Sequence, residues 1–70
     1  MGYTTIPVDE NGRGCVYVVL DRQVQGPVIF MNVGTARLEA WEYARKHGIN
    51  EVMKIFSDTR EAVKDIDPMN

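Results

Sequence analysis

GINEVMKIFSDTREAVKDI, residues 48–66, decides the fold. Read as one helix from Glu51 to Ile66, it gathers Val52, Ile55, Phe56, Thr59, Val63 and Ile66 into a narrow arc, as an amphipathic helix requires. Read in two parts, EVMKIF (51–56) is a strand rich in β-formers and TREAVKDI (59–66) a short helix. Two features favour the second reading. Ser57, Asp58 and Thr59 are weak helix formers that would occupy the centre of a continuous helix. Asp58 followed by Glu61 has the spacing of a capping box, and Pro68 ends any helix before it.

Immediately upstream, GTARLEAWEYARKHG (34–48) carries the punctuation of a helix: Thr35 at the N-cap, basic residues in the last turn, and Gly48 where a C′ glycine belongs. At 100° per residue, Ala36, Ala40, Trp41, Tyr43 and Ala44 share one broad face, and Glu39, Glu42 and Lys46 the opposite one. The alanines suit close packing on a sheet. Before this helix, CVYVVLDR (15–22) and VIFMNV (28–33) are β-branched, apolar runs separated by QVQGP, which predicts an antiparallel pair. The Asn-Gly of DENGRG (9–14) is the strongest turn signal in the chain. YTTIPV (3–8) is a candidate edge strand, because Pro7 cannot serve a central ladder. The expected fold is therefore a small α+β domain spanning 1–70 in the order (β)ββαβα. Its antiparallel sheet has three strands, or four with residues 3–8, and two helices pack on one face; 1–2 and 67–70 are expected to be flexible.

Strand composition carries the functional signal. Val16, Val18 and Leu20 alternate with Cys15, Tyr17 and Val19, so both faces of this strand are apolar, and Val28 and Phe30 against Ile29, Met31 and Val33 repeat the pattern. A solvated sheet face alternates with polar residues, and helices on a small sheet cover one side. An apolar patch of Tyr17, Val19, Ile29 and Met31 is the expected contact surface for a protein partner or a second copy.

The 70 residues allow one core but no deep cleft, and 44% hydrophobic with 26% charged residues is ordinary for a folded chain. A net charge of −2 and a pI near 5.2 lack the basic footprint of a general nucleic-acid binder. The single cysteine, Cys15, excludes an intrachain disulfide and reads as a small buried hydrophobe in a cytoplasmic protein. The apolar run from Cys15 to Leu20 is too short for a membrane span, so no membrane association is expected. His47, the only histidine, lies in the last helical turn with no companion ligand, and Trp41 among the alanines reads as core. No metal or cofactor is expected.

Three resemblances bear on other functions. Asp9, Glu39 in RLEAW and Asp58 in FSDT follow an order that resembles ribonuclease H, which implies magnesium-dependent phosphodiester hydrolysis if the three converge. KIFSDTREA, after a strand pair and a helix, resembles the hybrid-binding module at the N-terminus of some eukaryotic ribonucleases H. Lys54, Phe56, Glu61 and Ala62 correspond, and Asp58 stands where that module has threonine. EYARKHGIN is similar to a helix-turn-helix junction at Ala44, Gly48 and Ile49, but Lys54 falls where that motif buries an aliphatic residue.

The leading expectation is a non-catalytic protein-interaction module, an accessory or phage-type protein that inhibits or adapts a host protein through an apolar sheet face. The alternative is a nucleic-acid-binding minidomain for RNA or an RNA/DNA hybrid, using Arg13, Arg22, Arg37, Arg45 and Lys46 with Tyr17 or Phe30 as a stacking platform. A minimal nuclease is the third.

Overall fold

A computed structural model of the chain describes residues 6–69. Its order is β1 (Cys15–Asp21), β2 (Gly26–Phe30), α1 (Ala36–Lys46), β3 (Met53–Phe56) and β4 (Ala62–Lys64). The deciding stretch is thus a strand followed by another strand, and the expected second helix is replaced by a hairpin. The α+β class stands, with a four-stranded antiparallel sheet and one helix instead of two.

Why TREAVKDI turns back as a strand is visible in its partners. An eight-residue helix is marginal without packing, whereas the hairpin aligns Ile55 with Ala62 and Lys54 with Val63, placing Val63 against the core. The intervening turn closes with Phe56 N–H donating to Glu61 O (2.9 Å) and Arg60 N–H to Phe56 O (2.8 Å). Asp58 accepts from Thr59 N–H at 2.8 Å, and Arg13 donates to both Asp58 and Thr59. The Asp58 carboxylate therefore caps a turn where a helix start was expected.

The sheet order is β2-β1-β3-β4. β2 and β3 are both antiparallel to β1, hence parallel to each other, and α1 joins them across one face as a split β-α-β unit. The edge position of β2 accommodates Pro27, which has no N–H for an interior ladder. Residues 3–5 of the candidate N-terminal strand lie outside the described residues. The remainder contributes one bridge, Val8 with Gly14, and a fully buried Pro7 whose carbonyl accepts from Cys15 N–H. At Gly14 a methyl group would lie 2.5 Å from Ile6 Cδ1 and 2.8 Å from Ser57 Oγ, so any larger residue would have to push these two side-chain ends aside.

The helix forms where expected. Ile49 N–H donates to Ala44 O and Gly48 N–H to Arg45 O, with Gly48 at φ 70°, the double closure of a Schellman ending. Ala36, Ala40, Trp41 and Ala44 are buried against Cys15, Tyr17, Val19, Val52 and Phe56. Two hydrogen bonds lock this layer: Trp41 Nε1 and Arg37 Nε both donate to Asp65 Oδ2, at 2.9 and 2.6 Å. Asp65 follows β4, so the new strand is what brings the helix its carboxylate.

Candidate functional site

The strand register sorts every sheet residue onto a face, because directly paired residues of antiparallel neighbours project to the same side. Tyr17 pairs with Phe30 and Lys54, and Val19 with Val28. Tyr17, Val19, Cys15 and Phe56 belong to the core beneath α1. The other side carries three rows: Ile29, Val18, Met53 and Lys64; Pro27 and Leu20; Val16, Ile55 and Ala62. No helix lies over these rows among the described residues.

This corrects the expected patch. Tyr17 is 2% and Val19 0% exposed, so neither reaches a partner, whereas Ile29 is 52% and Met31 56% exposed. The sequence pattern puts the four on one face, but the turn at Arg22–Gln25 sets Asp21 opposite Gly26. That register puts Ile29 beside Val18, not beside Tyr17 or Val19. Val16, Val18, Leu20, Met53 and Ile55 are the residues that sequence reasoning left out of the surface. The alternation of β1 carries the signal for the first three, whereas Met53 and Ile55 join them only through the β1–β3 register.

Within the open face Val18 is nearly buried at its centre although it stands outside the core cluster. Leu20 is 61% exposed, beside a shallow recess of about 250 Å³ lined by Leu20, Asp21, Arg22, Gln25 and Gly26. Lys64 is the one charged side chain in the rows, and it pairs with Glu51 at 3.1 Å.

The basic residues do not gather. Arg13 binds Asp58 at 3.1 Å and lies over the Phe56 ring, Arg37 binds Asp65, and Arg45 binds Asp67. Of the five, Arg22 and Lys46 have no ion pair among the described residues. The two stacking residues are also committed, Tyr17 to the core and Phe30 half-buried against Tyr43 with ring centroids 5.7 Å apart.

The three carboxylates of the nuclease reading are likewise held separately. Asp9 accepts from the N–H groups of Asn11 and Arg13 and faces Lys54 Nζ at 3.5 Å. Glu39 accepts from Asn32 Nδ2 through both oxygens, and Asp58 is taken by Arg13. Among the described residues no three His, Cys, Asp or Glu side chains form a group that could hold a metal ion. Lys54 and Phe56, matched to the hybrid-binding module, point into the covered side, where Lys54 is buried. The Cys15 thiol is fully buried and pushed up by that burial, which leaves it protonated and poorly nucleophilic.

Asp21 is the other polar cluster. Its buried carboxylate accepts from Gln23 N–H and from the Tyr43 hydroxyl at 2.5 Å, and it faces His47 Nδ1 at 3.7 Å. The His47 ring stacks on Tyr43, 4.1 Å between centroids. The hydrogen bond from Tyr43 lowers the Asp21 pKa and raises that of the phenol. These contacts fasten the end of β1 to the end of α1.

No helix among the described residues is long and apolar enough to cross a membrane. No family model, curated protein or solved structure matches the chain.

Proposed function

We propose that this chain is a protein-interaction module that acts without a chemical step, burying the open sheet face against another protein and modulating it by occupancy. One observation carries the reading: the sheet presents Val16, Val18, Leu20, Pro27, Ile29, Met53 and Ile55 on a side that α1 leaves uncovered. Contiguous exposed apolar surface costs solubility, and on small soluble proteins it marks a contact site. The exposed members Leu20 and Ile29 are the anchors, and Val18 supplies a rigid apolar floor. A host protein inhibited or adapted by a small accessory or phage-type protein is the form of partner we favour.

The test is capture from nuclease-treated host lysate by tagged wild type, Leu20→Glu and Ile29→Glu, with circular dichroism of each. The expected outcome is one stoichiometric protein retained by wild type and lost by both variants at unchanged ellipticity. Retention by both folded variants sinks the reading.

A further inference from the structure

We infer that a second copy of this chain covers the open face when no target does, the two sheets packing face to face about a two-fold axis. The inference rests on the contact reading above and names a first occupant for the same residues. Three observations carry it.

The first is charge. Near a two-fold axis each side chain meets its own copy, so a surface with a single-sign charge at its centre repels itself. Here the centre is Val18, Ile29, Met53 and Ile55, and Lys64 at the β4 margin is already paired with Glu51, so the margin offers both signs. The second is shape. Two sheets of the same right-handed twist pack aligned, their inner side chains interdigitating to form a layer about 10 Å thick.

The third concerns the alternative route, pairing of edge strands into one continuous sheet. β2 carries Pro27 at its edge and β4 has three residues, so neither offers a usable ladder of donors and acceptors. Association is left to the face.

Size sets the strength. Four strands spaced ~4.8 Å apart and about five residues long give a face of roughly 19 by 17 Å, so two copies bury on the order of 700 Å² in projection. Leu20 and Ile29 project from this face, and the contact stays below about 1,000 Å², the lower limit for a specific interface. The dimer is therefore reversible, and a target competes with the second copy for Leu20 and Ile29.

Sedimentation equilibrium over a wide concentration range tests this on the full chain. The expected mass rises from 7.9 kDa toward twice that value with concentration. Ile29→Glu and Leu20→Glu shift the midpoint by about thirtyfold or more while keeping wild-type ellipticity. A mass of 7.9 kDa throughout, or a dimer indifferent to both substitutions, overturns the inference. If the chain is monomeric yet lysate capture still depends on Leu20 and Ile29, self-association falls and the target reading survives. If it dimerises through the face but captures nothing, the reverse holds.

Discussion

At the scale of single residues, stability rests on two buried carboxylates that tie α1 to the sheet. Asp65 accepts from Trp41 and Arg37, and Asp21 from Tyr43 and Gln23. Trp41→Phe keeps the ring in the core but removes one donor to a charged acceptor, an expected loss of about 1.5–3 kcal/mol by urea denaturation. Acid sensitivity follows from Asp21 and Asp9. Both have pKa values lowered, Asp21 first by the Tyr43 hydroxyl and Asp9 first by the Arg13 N–H. A depressed folded-state value means that the unfolded chain binds protons more readily. The contribution is complete above the unfolded carboxylate value of about 3.9 and is lost as pH falls through the lower folded values. Denaturation midpoints measured from pH 5 to pH 2 should fall steeply for wild type and less for Asp21→Asn, which starts lower but has no proton to gain.

At the scale of elements, α1 and β1 were legible because their signals are local. The Asn-Gly turn, the capping glycine at Gly48 and the β-branched run of β1 each act within a few residues, and each forms as expected. The spacing of TREAVKDI satisfies a helical cap and predicts a helix, yet Val63 and Asp65 gain partners only by lying across from Lys54 and Val52. The turn also places Arg60 at φ 61°, a left-handed conformation that a β-branched side chain resists. Arg60→Val should be less stable than Arg60→Gly by about 1–2 kcal/mol. On a helix the order would reverse, since valine is the better helix former. Equilibrium unfolding of the two variants therefore checks the hairpin itself.

At the scale of the whole molecule, the sheet divides what looked like one apolar strand surface into a core and an exposed face. Val19 and Ile29 are similar side chains on adjacent strands with opposite fates, 0% and 52% exposed. Ile29→Glu should cost no more than about 1 kcal/mol, the span of strand propensity. Val19→Glu, which buries an unpaired charge in the core, should abolish cooperative unfolding. Thermal melts of the pair separate the two faces directly. Backbone preference and short-range periodicity suffice for the α+β class, for α1 with its inner face of alanines, for the first hairpin and for the two-sided apolar strands, whereas the expected second helix had no such local guarantee. Tertiary structure alone decided the fourth strand and the residues of the open face. A helical or strand ending for TREAVKDI depends on long-range partners such as Trp41, and a one-residue change of register moves every side chain to the other side of a sheet.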